Sequence, residues 1–342
     1  MKKDFNYILG VETSCDETSA AVITEDAVLS NVISSQMVHL QFGGVVPELA
    51  SRAHLKKIIP IVNEALNTAK VGFEQLDGFA VTNGPGLIGA LLVGVNYIKG
   101  LSLALDIPFV GVNHIEGHIY GNFLEGNQIL LPFIALVVSG GHTQIVLVRD
   151  HLNYKILGET RDDAVGEAFD KVAKLLNLPY PGGPEIDKRA VQGDHAYVNF
   201  PRAMLKSGDF AFSYSGLKTA VLNFIQEKEE KELSDHLNDI CASFQSAAVE
   251  VLVKKTVEAA RTYQIRDIAL AGGVAANSLL RKWMREEGGK FNLNVHFPPL
   301  RYCTDNAAMI ARAGYEHLIR GERSSLELNA HPAMKLGEVL RG

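Results

Sequence analysis

One arrangement of strands and turns occurs twice in this chain, and that repetition restricts the fold more than any other feature. YILGVETSCDETSAAVI, Tyr7 to Ile23, is an apolar run, a small polar turn and a second apolar run. FIALVVSGGHTQIVLV, Phe133 to Val148, has the same layout. Each predicts two antiparallel strands joined by a turn rich in Ser, Thr, Gly and Asp. Each is followed by helices and then by a strand–helix–strand unit. In the first half, FAVT predicts a strand, GPG a tight turn, Leu87 to Leu105 a helix and PFVGV a further strand. In the second half, RDIALAGGVAANSLLRKWMREEG predicts strand, Gly-Gly turn and helix before the short strand NVHFPP.

Strand–helix–strand units imply parallel pairing, so each half is expected to be an α/β lobe. The Gly-rich turns would lie at strand carboxyl ends, facing a nucleotide and metal cleft between the lobes. Duplication of this kind resembles the actin, Hsp70 and sugar-kinase (ASKHA) superfamily; periodicity alone fits two unrelated α/β domains equally well. The expected division is an N-terminal lobe over 1–130, completed by a C-terminal helix at 306–321, and a second lobe over 131–305 with a helical insert at about 160–260.

The chain has 342 residues, enough for two ordinary lobes. Cys15, Cys241 and Cys303 are far apart and form no CxxC pair, which suits a reducing cytoplasm and excludes a cysteine zinc site. The N-terminal MKKDFNYILGVETSCDE meets acidic residues before an apolar leader can develop. Gly86 to Leu105 is interrupted by Asn96 and Lys99 and predicts a buried helix rather than a membrane span. The formal charge of -6 means that a nucleic-acid substrate would need a local basic patch or a partner.

In VVSGGHT the Ser-Gly-Gly turn lacks side chains that would keep an anion from the backbone N–H groups. Hairpins also use glycine for steric reasons alone. AGGVAAN, Ala271 to Asn277, echoes it: Gly272 and Gly273 precede a helix, and Asn277 either meets a ribose or base or points to solvent. Between them a helix is expected over Ala164 to Leu176, then a break at PGGP and a second helix. Asp170 and Asp187 are either ligands for ribose hydroxyls or solvated helix carboxylates, and Gly183 permits close approach to the backbone.

NHIEGHIYG, Asn113 to Gly121, sets His114 and His118 four residues apart. Helix positions rotate by about 100° per residue, so the two histidines share a face and Glu116 points away. A zincin needs its glutamate directly after the first histidine, so the metallopeptidase reading is weak. Asp305, in a loop before an amphipathic helix with Asn306 as its cap, is a third candidate ligand. Two histidines and one carboxylate leave coordination positions open.

Taken together, GVETSCDET, FGGVVPELASRAH, NHIEGH, SGGHT, FSYSGLKTAV, AGGVAAN and YCTDNAAMIA resemble the TsaD family, the tRNA N6-adenosine threonylcarbamoyltransferases once labelled O-sialoglycoprotein endopeptidases. The motifs span nearly the whole chain in order, and FGGVVPELASR is similar to the bacterial branch. The resemblance implies an actin-like fold and one divalent metal ion on His114, His118 and Asp305, with Fe2+ the usual assignment and Zn2+ compatible. It places an adenylate along Val137, Val138, Ser139, Gly140 and Gly141, with Asp170, Gly183, Asp187 and Asn277 around its nucleoside.

The implied reaction moves the threonylcarbamoyl group of threonylcarbamoyl-adenylate to N6 of adenosine 37, in the anticodon loop of tRNAs reading codons that begin with A. AMP leaves. Asp16 and Glu17 are the candidates for proton handling or orientation. The resemblance further implies an actin-like TsaB-type paralogue and a TsaE-type P-loop ATPase as partners. An ATP-dependent kinase or ATPase of the same superfamily is the rival reading, which a His-His-Asp set disfavours because Mg-ATP sites prefer oxygen ligands.

Overall fold

The computed structural model describes residues 5–42, 44–126 and 128–338. Met1–Asp4 of the N-terminal stretch and Gly43 of FGGVVPELASRAH lie outside them. The strands are β1 Ile8–Glu12, β2 Glu17–Ile23, β3 Val28–Ser35, β4 Gly78–Gly84, β5 Phe109–Asn113, β6 Phe133–Val138, β7 Thr143–Asp150, β8 Asn153–Glu159, β9 Asp267–Ala271 and β10 Asn294–His296. The helices are α1 Pro47–Ala69, α2 Ile88–Leu105, α3 His114–Tyr120, α4 Val165–Leu175, α5 Gly182–Ala190, α6 Ser215–Gln226, α7 Glu230–Asp235, α8 Leu237–Thr262, α9 Ser278–Lys290 and α10 Ala307–Ile319.

Two five-stranded sheets form, ordered β3-β2-β1-β4-β5 and β10-β9-β6-β7-β8. Numbered from its own first strand, each reads third, second, first, fourth, fifth, so the duplication is one of topology. In the first sheet β1 pairs antiparallel with β2 and parallel with β4; in the second, β6 pairs antiparallel with β7 and parallel with β9. The first, fourth and sixth strands are buried throughout, because a central strand covered on both faces needs a continuous apolar run.

The sequence pattern foresees two strands at the start of each half, and the structure has three. The additional strands, VLSNVISS and NYKILGE, are sheet edges whose residues are mostly half-buried or exposed. Strands solvated in this way carry no apolar run to announce them.

The first unit comprises 1–128, 151–153 and 298–342, and the second 129–150 and 154–297. The segment 298–305, expected in the second lobe, therefore belongs with α10 in the first unit. Close packing explains why α10 docks there. A Cβ at Gly10 of β1 would lie 2.5 Å from the Ala307 carbonyl oxygen and 2.7 Å from the Ala311 Cβ, and one at Gly314 would lie 2.3 Å from the Ala80 Cβ. Glycine at these two points lets helix and sheet backbones touch. In the second unit, α4 to α8 lie in the chain between β8 and β9.

By length and composition α2 could cross a membrane. Instead of being buried all round, it buries one stripe, Ala90, Leu91, Gly94, Val95 and Ile98, at helical spacing. Val95 and Ile98 join Leu9, Val11, Val62, Phe79 and Val81 in the core of the first unit, while Ile88 and Leu103 remain exposed.

Candidate metal centre and glycine turns

In the first unit β5 runs directly into α3. Asn113 makes the junction by accepting, at Oδ1, the N–H groups of Ile115 at 2.9 Å and Glu116 at 3.4 Å. The cap starts the helix at His114, so His114 and His118 occupy one face with their rings 4.6 Å apart, edge to face. Asn306 does the same for α10, accepting from the Met309 N–H at 3.0 Å, and fixes the chain at Asp305. Asp305 Oδ1 lies 3.5 Å from His114 Nε2 and 3.2 Å from His118 Nε2.

This donor set fits one metal ion. Ligands on bonds of about 2.1 Å around a tetrahedral ion lie about 3.4 Å from one another, and the three donor atoms fall within 4.8 Å. Both ring nitrogens of His118 are buried without a hydrogen-bond partner. His114 Nδ1 lies 2.9 Å from Glu12 Oε2, and its Nε2 faces the Asp305 carboxylate. Either a proton on Nε2 or a metal ion satisfies both atoms. Burial opposes protonation of His114, but the Asp305 and Glu12 carboxylates outweigh it and raise its pKa well above the usual histidine range. Asp305 shows the converse: burial raises its pKa, and the two imidazoles pull it far below the ordinary carboxylate range.

Glu12 is a residue that motif reasoning missed. Fully buried at the end of β1, it also accepts from Thr82 Oγ1 at 2.7 Å and from the Ser14 N–H. A carboxylate behind a ligating imidazole fixes its tautomer and raises its basicity. A glutamate closing an otherwise apolar strand, ILGVE, was the available signal. Glu12→Gln is expected to weaken metal affinity about 10–100-fold. A competition titration with a chelator reads this, and unchanged affinity would show that Glu12 does not support the site.

Glu116, opposite the histidine face, is bonded to His317 Nε2 at 2.8 Å. Asp16 ends the turn before β2, and Glu17 opens that strand. Burial, then the Asp305 and Asp16 carboxylates, push the Glu17 carboxyl up to about 9. His54 of α1, another residue not singled out, braces this turn. Its Nε2 donates to the Cys15 carbonyl oxygen at 2.9 Å, and its Nδ1 accepts from Thr18 Oγ1 at 2.8 Å.

The second unit collects the other predicted residues. Ser139 to His142 closes the β6–β7 hairpin, with the Ser139 N–H donating to the His142 carbonyl at 2.8 Å. A Cβ at Gly140, Gly141 or Gly273 would meet no protein atom within 4 Å. Their glycines answer no packing demand, and the backbone there is open to a ligand. Gly272 is different: its φ is +90°, and a Cβ would lie 2.4 Å from the Val138 carbonyl oxygen. That contact brings the two glycine turns together. The Val137 and Val138 side chains are in the core and Ser139 is buried, so of that stretch the ligand-accessible part is Gly140 and Gly141.

From Gly272 the contacts continue. A 3-10 turn, Gly273–Ala276, intervenes before α9, so the glycines do not open the helix directly. Asn277 is buried and does not point to solvent: its Oδ1 caps α9 at Leu280 N, and its Nδ2 donates to Gln245 Oε1 at 2.9 Å. Asp187 accepts from the neighbouring Ser278 at N and Oγ, 3.1 and 2.7 Å. Four residues back on α5, Gly183 adjoins Gly182, whose N–H donates to Asp170 Oδ1 at 2.8 Å. Burial raises the Asp170 pKa, and the N–H groups of Gly182 and Gly183 oppose the rise.

Two α/β units with sheets of one topology define an actin-like protein. HypF of T. kodakarensis has the same fold, with a TM-score of 0.62, 16% identity, and coverage of 93% of this chain and 48% of that one. Component A of the Acidaminococcus fermentans (R)-2-hydroxyglutaryl-CoA dehydratase follows at 0.55, 14% identity, 91% and 98%. The family model for tRNA N6-adenosine threonylcarbamoyltransferase (TsaD) matches residues 27–312. A protein of that name from Moorella thermoacetica is 53% identical, over 96% of this chain and 97% of its own. One from Clostridium botulinum is 52% identical over 99% and 100%. The chain belongs to the tRNA N6-adenosine threonylcarbamoyltransferase family.

Proposed function

We propose that this protein transfers the threonylcarbamoyl group of threonylcarbamoyl-adenylate to N6 of adenosine 37 in tRNAs reading codons that begin with A, releasing AMP in the cytoplasm. The observation that carries this reading is identity above half, over nearly the full length, to enzymes named for that transfer. In the reaction N6 attacks the carbamoyl carbon, the bond from that carbon to the phosphate oxygen breaks, and N6 gives up a proton.

His114, His118 and Asp305 would hold one divalent ion, Fe2+ by family resemblance, with Zn2+ suited to the same donors. Bound there, the ion supplies Lewis acidity for a developing negative charge. The N–H groups of Gly140 and Gly141, beside Ser139, receive the adenylate phosphate and stabilise the charge that gathers on it as AMP departs. Asp170, Gly183, Asp187 and Asn277 surround the nucleoside. Asp187 and Asn277 already hold Ser278 and Gln245, so they act within a preorganised network. Asp16 and Glu17 are the candidates for accepting the N6 proton or orienting the substrate.

A TsaB-type paralogue and a TsaE-type ATPase are the proposed partners, because a chain of charge -6 is poorly suited to capture tRNA unaided. Supplied with the adenylate, tRNA and both partners, the chain is expected to form threonylcarbamoyladenosine with one AMP released per transfer. Mass spectrometry of the digested tRNA measures this. Absence of the modified nucleoside with all components present would overturn the reading; multiple turnover by the isolated chain would overturn the partner dependence.

A further inference from the structure

A polyanion bound by a chain of net charge -6 needs positive charge that is concentrated and not already neutralised. Six arginines elsewhere in this protein are committed: Arg52, Arg161, Arg202, Arg301, Arg312 and Arg320 all pair with carboxylates. The surface around α9 and the edge strand β10 is built differently. Arg281 and Arg285 both lay their guanidinium groups over the Phe297 ring, 5.1 and 4.5 Å from its centre. Lys282 lies beside them, and at about 100° per residue the three side chains cover about 100° of the helix. At the other end of β10, Arg261 covers Phe291 at 4.1 Å, and Arg266 is exposed.

Among the described residues, Arg261, Arg266, Lys282 and Arg285 have no carboxylate within ion-pair distance. Asp267, next to Arg266 in sequence, is engaged by His296 at 2.6 Å. Glu286, four residues after Lys282, and Glu287 line a groove with Trp283 and Glu250. β10 is three residues long, roughly 10 Å, and the two arginine–aromatic stacks, at Phe291 before it and Phe297 after it, bracket a basic strip. Stacking on a ring holds a guanidinium plane in place while its N–H edge projects outward, a geometry suited to phosphate oxygens.

The position of the strip gives it a role. β10 runs parallel to β9, so Phe297 follows the same sheet end from which Gly272 departs. Arg281 Nε donates to the Ala275 carbonyl oxygen at 2.7 Å, which ties the strip to the 3-10 turn after Gly272. We propose that this strip is the surface along which the tRNA sugar–phosphate backbone lies. Lys282 and Arg285 take phosphates close to the anticodon loop, and Arg261 and Arg266 take phosphates further along the stem. The inference rests on the transferase reading above and adds to it the surface that positions the RNA.

The test compares the double variants Lys282→Ala/Arg285→Ala and Arg261→Ala/Arg266→Ala with the parent chain, each assembled with the partner proteins. Arg281 is kept, because it anchors the Ala275 turn. The probe is an unmodified tRNA transcript carrying adenosine 37, titrated over a range of salt. Loss of two phosphate contacts is expected to weaken binding about tenfold and to reduce the slope of log affinity against log salt by about one per contact. The loss should fall on KM for tRNA rather than kcat, with AMP affinity and Trp283 fluorescence retained. Unchanged tRNA affinity and slope, in an assembly that still modifies tRNA, would overturn the strip and leave the transferase reading standing. So would variants that hold tRNA normally but release an acidic protein partner. An unaltered assembly that neither binds nor modifies tRNA would overturn both.

Discussion

Asp305→Ala and His114→Ala are each expected to abolish stoichiometric metal binding and to lower transfer by at least about a hundredfold, since Lewis-acid stabilisation of transition-state charge is worth several kcal/mol. Three donors converge within 4.8 Å, and deleting any one leaves two, too few to hold an ion against water. The fold should survive. Asp305 lies in the loop before α10, and the cap that starts that helix belongs to Asn306. Removing His114 also leaves Glu12 buried, but Thr82 and the Ser14 N–H still bond it. Elemental analysis after dialysis, beside a thermal melt, separates loss of the ion from loss of structure. Full metal content in both variants would refute the assignment.

The second large effect concerns stability. His317 of α10 lies between Glu116 of α3 at 2.8 Å and Glu322 at 2.6 Å. It thereby clamps the helix that follows Asp305 to the helix that carries both histidines. Burial disfavours the charged ring, but Glu116 and then Glu322 outweigh it and push His317 up to about 9. A raised histidine contributes stability that is complete below the unfolded value near 6.5 and is lost as pH rises through about 9. Integrated over that window the contribution is about 3 kcal/mol. His317→Gln is therefore expected to be less stable than the parent by about that amount at pH 6. The gap should close as pH is raised past 9. Urea unfolding of both proteins from pH 6 to 9.5 measures it, and a gap independent of pH would show that the ion pair is not its source.

The same residues show where the sequence was legible. The hairpins, the GPG turn, α2 and the Asn306 cap depend on neighbours within a few positions, so apolar period and turn chemistry disclose them. The shared face of His114 and His118 follows from helix geometry alone, as does the direction of Glu116 away from them. That Glu116 has a buried partner does not follow, because His317 is 201 residues away. The edge strands β3 and β8 were silent for a different reason: solvent covers part of each, and no apolar run was needed.

Glu12 and Asp305 meet His114 across separations that no local pattern encodes. Their convergence depends on α10 lying against β1 and β4, through backbone contacts at Gly10 and Gly314 that exclude even a methyl group. The abutment of the two glycine turns in the second unit likewise depends on Gly272 facing the Val138 carbonyl oxygen. Local chemistry in the chain was sufficient for the elements other than the edge strands β3 and β8, and for the candidate ligands. Long-range packing, which acts between residues brought close by the whole fold and leaves no periodic trace in the sequence, chose which of them meet.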